Sequence, residues 1–403
     1  MQVVLRTLIR FALHALVDFH WLAYRLFKLV PHRDVPVSGK RILLTGTFFS
    51  QNWILNHLRP LALSSRVKEV VLVSTFPIDP PPKVIVLYPP KELTKLIGEV
   101  PARLLYFTVY SVRHRPDVIG GFHLLLNGLL SSLLSAFLGV RSLYICGGGP
   151  REVQDGGIHG SRLFSLIGRP DPLLEKKLIR AVNAFDAVIT MGPRAIKFFR
   201  EKGVGTHFQV IPGGIDRTKF ITLEKSKKEY DCILVGRLEQ VKRADLFLEM
   251  ISALKETRKA VSAVIVGAGS LRQDLEKMAE DIGVAGNVIF AGYQPRIEEW
   301  LSRSKVFVLT SDSEGLSLAL MEAMTCGLPA VVSDVGELGE LVEPGRNGFL
   351  VKQRTAQDFA KYINFLLKDK KLYDQFSDNA RRSAEKYDLR ESAKRWDSLL
   401  SSL

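Results

Sequence analysis

Two glutamates with seven residues between them, Glu314 and Glu322, stand in the segment Ser313-Glu314-Gly315-Leu316-Ser317 through Glu322-Ala323-Met324. An ionised carboxylate accepts two hydrogen bonds, so carboxylates at such a place suit recognition of a vicinal diol. A helix starting near Ser317 puts Glu314 in the loop before it and Glu322 on it. The loop NH groups and the helix dipole then point at an anion. Two solvated glutamates are the plainer reading of either residue alone. Arg237 and Lys242 follow Gly236 in the segment Gly-Arg-Leu-Glu-Gln-Val-Lys. Two cations at that spacing can straddle a diphosphate, and the glycine admits close backbone approach. Ordinary surface charge also explains such a pair. A third loop, Gly267-Ala268-Gly269-Ser270, precedes a helix expected to begin near Leu271. Glycines at a helix start suit an anion. This loop lacks the third glycine of the dinucleotide fingerprint, and a simple turn also accounts for it.

Each of these loops follows a short apolar run. In the second half of the chain, residues 232–235, 262–266, 287–290, 306–309, 329–332 and 348–351 read as buried strands with helices between them. In the first half, residues 40–46, 67–74, 116–119, 141–146 and 187–190 do the same, the last closing the series. Residues 124–138 and 194–202 read as helices there. The first is apolar nearly all round, and Asn127, Ser131, Ser132 and Ser135 favour a buried helix over a membrane span. Two successive series of alternating strands and helices predict an α/β chain of two Rossmann-like, doubly wound domains facing a cleft. The turn-rich segment 211–216 and the charged segment 224–229 read as the connection between them. The expected spans are 1–35 for an N-terminal amphipathic helix, 36–213 for the first domain, 214–375 for the second, and 376–403 for a helix that returns to the first domain.

At 403 residues, two domains are the natural division. A net charge of +14 favours anionic partners. Cys146, Cys232 and Cys326 are far apart and form no CxxC pair, which argues against a disulfide framework or zinc site and fits a reducing compartment. Residues 1–30 are apolar but interrupted: Arg6, Arg10, His14 and Asp18 recur every fourth residue, with Arg25 and Lys28 beyond. That spacing puts a polar stripe on an otherwise apolar helix too interrupted to span a bilayer. Trp21, Tyr24 and Phe27 suit a membrane interface, and Arg33, Lys40 and Arg41 follow. Two placements remain: flat on an anionic membrane surface, or packed on the first domain or a partner subunit.

The donor-side segments, in this order and spacing, resemble the retaining GT-B glycosyltransferases of family 4: Gly236-Arg237 with Lys242, Gly267-Ala-Gly269, Ser313-Glu314-Gly315 with Glu322-Ala-Met, and Gly327-Leu-Pro-Ala-Val-Val332. Ile211-Pro-Gly-Gly-Ile-Asp216 looks like that family's Pro-Asn-Gly-Val-Asp segment, with Gly213 in place of Asn. The resemblance implies an EC 2.4 transferase that uses a nucleotide-sugar co-substrate, a UDP-sugar before a GDP-sugar. Arg237 and Lys242 would hold the diphosphate, Glu322 the ribose, and Glu314 the transferred sugar. The backbone of Gly315, Leu316 and Ser317 would contact sugar and phosphate, and Tyr293, Gln294 and Pro295 would sit beside the base.

Pro116-Asp-Val-Ile-Gly-Gly-Phe-His123 resembles the strand that ends in His-x-His, with Gly121 at the first histidine. His123 would face the donor sugar, and a core histidine is the alternative. The family's Gly-Gly loop is reduced here to Thr45-Gly46-Thr47, which leaves contacts by Gly46 and Thr47 open. Gly148, Gly149, Arg151 and Glu152 read as acceptor-facing. No Asp-x-Asp sequence occurs, so the resemblance implies leaving-group stabilisation by side-chain cations, with no metal and no cofactor. The basic N-terminal segment adds an expectation of a lipid-linked acceptor and a peripheral place on the cytoplasmic face of the membrane, in polysaccharide or glycolipid synthesis. A GT-B epimerase would need carboxylates in the first half that have no clear place. A basic scaffold that binds nucleic acid or lipid would explain the charge but not the paired glutamates, and aromatics interleaved with basic residues are lacking.

Overall fold

The computed structural model describes residues 2–34, 37–48, 50–221, 227–258 and 260–403. Residues 224–226 of the expected charged connection, and the expected boundary at 35 and 36, lie outside them. The chain forms two units, Met1–Gly214 with Leu389–Leu403, and Ile215–Asp388.

The first unit is built on seven parallel strands: β1 (Lys40–Thr45), β2 (Val67–Val73), β3 (Val84–Leu87), β4 (Val118–Phe122), β5 (Arg141–Cys146), β6 (Ala187–Thr190) and β7 (His207–Val210). They lie in the order β3-β2-β1-β4-β5-β6-β7. Its helices are α1 (Gln2–Phe27), α2 (Gln51–Leu63), α3 (Lys91–Ile97), α4 (Glu99–His114), α5 (Leu129–Leu138), α6 (Arg162–Ser165), α7 (Pro172–Val182) and α8 (Pro193–Glu201). The central strands are buried over most of their length because helices cover both faces of a parallel sheet. The series does not close at Thr190. β7 adds to β6, and β3 adds to β2. Both are four-residue edge strands with half-exposed positions: β3 is a short apolar run just after Pro81 and Pro82, and β7 alternates polar and apolar residues.

β4 runs past Ile119, where the expected apolar run ends, through Gly120 and Gly121 to Phe122. A Cβ on Gly120 would lie 2.7 Å from Leu44, and one on Gly121 would lie 2.7 Å from the Gly128 amide. The glycines are there for close packing. Residues 124–138 are not one helix either. Leu125 and Leu126 leave helical geometry, Leu126 at φ 66°, and the regular helix begins at Leu129. The Asn127 side chain donates to the Phe122 carbonyl at 2.9 Å and holds this turn against the strand.

The second unit has six parallel strands: β8 (Tyr230–Val235), β9 (Ala263–Val266), β10 (Val288–Gly292), β11 (Ser304–Leu309), β12 (Ala330–Ser333) and β13 (Gly348–Val351). Their order is β10-β9-β8-β11-β12-β13, a doubly wound sheet. The helices are α9 (Thr218–Ile221), α10 (Ala244–Thr257), α11 (Arg272–Asp281), α12 (Ile297–Ser302), α13 (Leu318–Thr325), α14 (Ala356–Lys368) and α15 (Lys370–Ala384). The C-terminal segment is two helices rather than one, α15 and α16 (Leu389–Ser402), parted by a turn at Glu385–Tyr387. α16 packs on α2 in the first unit, where Asp397 accepts from the Ser64 hydroxyl at 2.6 Å and the Ser65 amide at 2.8 Å.

The polar stripe of α1 packs on its own unit through Arg10, His14 and Asp18, one of the two expected placements. Asp171, fully buried, accepts from Arg10 Nε at 2.6 Å and from His14 Nε2 at 2.9 Å, and its other oxygen caps α7 at the Leu174 amide. Burial alone would raise the Asp171 pKa, but these donors outweigh it and hold it well below the usual carboxylate range. Asp18 pairs with Lys177 on α7 at 2.5 Å. Trp21 stacks under Arg180, Tyr24 is buried, and Phe27 packs on Phe137, so these aromatics also face protein. The apolar side points outward, with Phe11 75% and Leu22 70% exposed. No helix among the described residues is long and apolar enough to cross a membrane.

Asp171→Ala removes a helix cap and the acceptor that anchors α1. The cap alone contributes about 1 kcal/mol. The variant is expected to lose at least that in denaturant unfolding and to become sensitive to proteolysis near residue 30; unchanged stability and resistance would contradict this role for Asp171.

Candidate functional site

In the second unit the strand order reverses between β8 and β11, so the loops leaving these strands flank a crevice at the carboxyl edge of the sheet. The first loop holds Gly236, Arg237 and Lys242. A Cβ on Gly236 would meet Lys242 Cδ at 3.7 Å, so the lysine stem lies across the end of β8, and Arg237 is exposed. The loop after β9 packs against it: a Cβ on Gly267 would stand 1.8 Å from the Gly236 carbonyl oxygen, and one on Gly269 2.3 Å from that of Leu238. Gly267, at φ 152°, also donates to the Gly292 carbonyl at 2.8 Å. This brings in the turn of Tyr293, Gln294 and Pro295, where Tyr293 is 72% exposed.

The loop after β11 closes the group. Ser317 caps α13 through the Leu320 amide, as the sequence suggested. Leu316 is buried and Gly315 half-buried. Lys242 Nζ donates to Glu314 Oε1 at 2.5 Å, and the Ser311 hydroxyl donates to the same oxygen at 2.6 Å. The lysine of one strand end and the glutamate of the next therefore neutralise each other. The Thr310 hydroxyl reaches the Lys242 carbonyl at 3.1 Å and the Arg243 carbonyl at 2.7 Å, which ties the two loops at backbone level. Glu322 lies on α13, half-buried. Burial pushes its pKa up to about 8, Glu298 adds to the rise and Lys219 opposes it.

Sequence reasoning missed two members of this group. Ser311 orients Glu314, and Gly336 (φ 55°) lets the loop after β12 press on it, since a Cβ there would stand 1.7 Å from the Glu314 carbonyl oxygen. A serine or glycine just after a strand is too common to mark either one.

In the first unit, β1 and β4 meet at the equivalent reversal of strand order. Gly46 is pressed against Phe48 and Phe122, and the buried Arg103 donates to Thr45 at 2.6 Å and to Thr47 at 3.1 Å. His123, at φ 64°, ends β4, stacks on Trp53 at 5.9 Å, and donates from Nδ1 to Glu152 at 2.9 Å. Glu152 is only 2% exposed, so it faces inward rather than lining an acceptor surface. It accepts from the Gly148 amide at 2.6 Å, which holds the glycine loop in place. Gly149 is half-buried, and Arg151 next to it is exposed.

At pH 7 a Glu322 carboxyl with a pKa near 8 is mostly protonated. A vicinal diol that donates two hydrogen bonds to Glu322 would favour the ionised form and lower that pKa, so a ribonucleoside diphosphate held there through its ribose is expected to displace a proton. Calorimetry in buffers of different ionisation heat is expected to show proton release near pH 7, absent in Glu322→Gln. Equal release by both proteins would contradict the assignment.

Residues 216–383 match the family described as Glycosyl transferases group 1. An uncharacterized glycosyltransferase of Haemophilus influenzae is 28% identical over 60% of this chain and 66% of its own length. A poly(ribitol-phosphate) alpha-N-acetylglucosaminyltransferase of Staphylococcus aureus is 31% identical over 57% of this chain and 46% of its own. The chain thus spans less than two thirds of each of these relatives. Anabaena HepE in complex with UDP superposes with a TM-score of 0.68 at 18% identity, over 90% of this chain and all of that one. Sucrose-phosphate synthase from Thermosynechococcus elongatus gives 0.69 at 19% identity, over 89% and 98%. With two parallel Rossmann-like sheets and these neighbours, the chain has the GT-B fold, and its second unit carries the glycosyl transferases group 1 segment.

Proposed function

We propose that this chain is a retaining glycosyltransferase of the family 4 type, moving a sugar from a nucleotide diphosphate sugar to an acceptor hydroxyl. The observation that carries the reading is the contact of Lys242 with Glu314 at the joined ends of β8 and β11. An entering diphosphate competes for Lys242 and Arg237, and Glu314, released from the lysine, turns to sugar hydroxyls. When the bond from the anomeric carbon to the diphosphate breaks, negative charge collects on the leaving group, where the two cations stabilise it. The acceptor oxygen forms the new bond and its proton passes to a diphosphate oxygen, so the reaction balances with no metal ion and no cofactor. Glu322 takes the ribose and the Tyr293 turn the base. UDP is the favoured nucleotide, with GDP as the alternative, because the Anabaena neighbour is in complex with UDP.

Arg237→Ala and Lys242→Ala are each expected to lower turnover by about 10²-fold or more, on the scale of losing one preorganised donor. The wild-type rate is expected to survive EDTA. Wild-type turnover in both variants would overturn the diphosphate assignment, and loss in EDTA restored by magnesium would overturn the metal-free reading. Isomerised sugar in the absence of any acceptor would favour an epimerase instead.

We further propose that the acceptor is lipid-linked, in cell-envelope polysaccharide or glycolipid synthesis, and that the first unit sits on the cytoplasmic face of the membrane. The support is the outward side of α1, where Leu5, Leu8, Phe11, Phe19, Leu22 and Leu26 are exposed and Arg25 and Lys28 flank them. Apolar residues exposed along a packed helix, with cations beside them, complement an anionic bilayer. The polar stripe that anchors α1 to α7 leaves this side free. Full-length protein is expected to float with anionic vesicles and a Leu8→Glu, Phe11→Glu, Phe19→Glu variant to stay at the bottom. If both float alike, or neither floats, the membrane placement fails and a soluble acceptor becomes the better reading.

A further inference from the structure

Glu152 stands in a short turn, Gly149–Glu152, just after β5. Its two carboxylate oxygens meet four donors. His123 Nδ1 (2.9 Å) and the Gly148 amide (2.6 Å) donate to Oε1, and the Leu124 amide (2.7 Å) and the Tyr144 hydroxyl (2.8 Å) donate to Oε2. A buried carboxylate with this many donors is held ionised. Burial by itself would raise the Glu152 pKa, but the neighbouring His123 and the backbone amides outweigh it and bring it below the ordinary value. For His123, burial lowers the pKa and the facing Glu152 overrides this, for a net rise.

The ring is fixed on its other sides too. The His123 backbone is left-handed at φ 64°, a conformation that costs energy outside glycine. Trp53 on α2 stacks on the ring with planes 16° apart. A Cβ on Gly147 would meet Trp53 at 2.8 Å and His123 Cε1 at 3.2 Å, so only glycine lets the loop after β5 come this close. The other titratable groups packed here are His57 on α2, and Tyr144 and Cys146 on β5. His57 is kept neutral, pushed down to about 3 by burial and then by the charge of His123. Burial likewise raises the pKa of Tyr144 well above the ordinary value, with Cys146 and Glu152 adding to it. Glu152 is thus the one carboxylate that faces His123 among the described residues, and the imidazole side chain remains 30% exposed.

We propose that Glu152 is the positioning residue of His123: it accepts a hydrogen bond from Nδ1, fixes the ring, and so keeps a protonated Nε2 as a hydrogen-bond donor to an oxygen of the substrate bound at this end of the first sheet. The substrate part of this statement rests on the transferase reading above. The pairing does not, and it is read separately.

Two measurements test it in the full-length protein. The first is a histidine NMR titration without ligand. His123 is expected to titrate above an ordinary histidine in the wild type, and at least one unit lower in Glu152→Gln. A wild-type value at or below the ordinary one overturns the proposal even if the variant does not fold. The second is the pH profile of sugar transfer. A one-unit fall in the His123 pKa is about tenfold in the protonated fraction on the alkaline side. Glu152→Gln is expected to lose about tenfold in kcat on that limb and little below pH 6, and Glu152→Asp to restore part of it. His123→Gln is expected to abolish the limb. A merely structural Glu152 would lower the rate equally at all pH values, and that result overturns the proposal. If the titration behaves as expected and no sugar is transferred, the pairing stands and the transferase reading is what fails.

Discussion

A side chain at residue 267 would put its first carbon 1.8 Å from the Gly236 carbonyl oxygen, and one at residue 336 would put it 1.7 Å from that of Glu314. Neither distance is compatible with any residue but glycine. The arrangement at the carboxyl edge of the second sheet depends on this close approach of backbone to backbone. With the loops after β8 and β9 in contact, Lys242 lies across the end of its strand; with the loops after β11 and β12 in contact, Glu314 reaches it. Side chains so supported are held by backbone on two sides, and that rigidity is what a preorganised electrostatic site requires.

The first unit uses a different device. Asp171 and Glu152 are buried carboxylates, each surrounded by several donors from segments distant in the chain. Removing a charge from water is costly unless every lone pair finds a donor, so each carboxylate enforces the placement of the groups around it. Asp171 fixes α1 and the start of α7, and Glu152 fixes His123, the turn at Leu124 and the glycine loop.

The strands with continuous apolar runs were legible, as was the helix start at Ser317, because burial on both faces and a capping serine leave local marks. Edge strands β3 and β7 were not: β3 is only four residues long and follows two prolines, and β7 alternates polar and apolar residues. The strand expected at 116–119 stopped short of Gly120 and Gly121 because composition alone does not distinguish a glycine that turns from one that packs. The polar stripe of α1 was visible in its spacing, but which side meets protein was decided by Asp171, remote in sequence. Glu152 was noticed and misplaced for the same reason: its partners Leu124 and Tyr144 meet it only in three dimensions. The loops that carry Arg237, Lys242 and Glu314 each follow their own strand, so order along the chain already implies a shared edge. Their mutual contact, Lys242 to Glu314, needed the fold.

We propose above all that the joined ends of β8, β9 and β11 hold a nucleotide diphosphate. The most direct measurement is a crystal structure of the full chain soaked with UDP. The expected result is diphosphate oxygens within hydrogen-bond distance of Lys242 Nζ and the Arg237 guanidinium, the Lys242–Glu314 contact lengthened, and the ribose hydroxyls on Glu322. UDP bound elsewhere, with Lys242 still paired to Glu314, would contradict it.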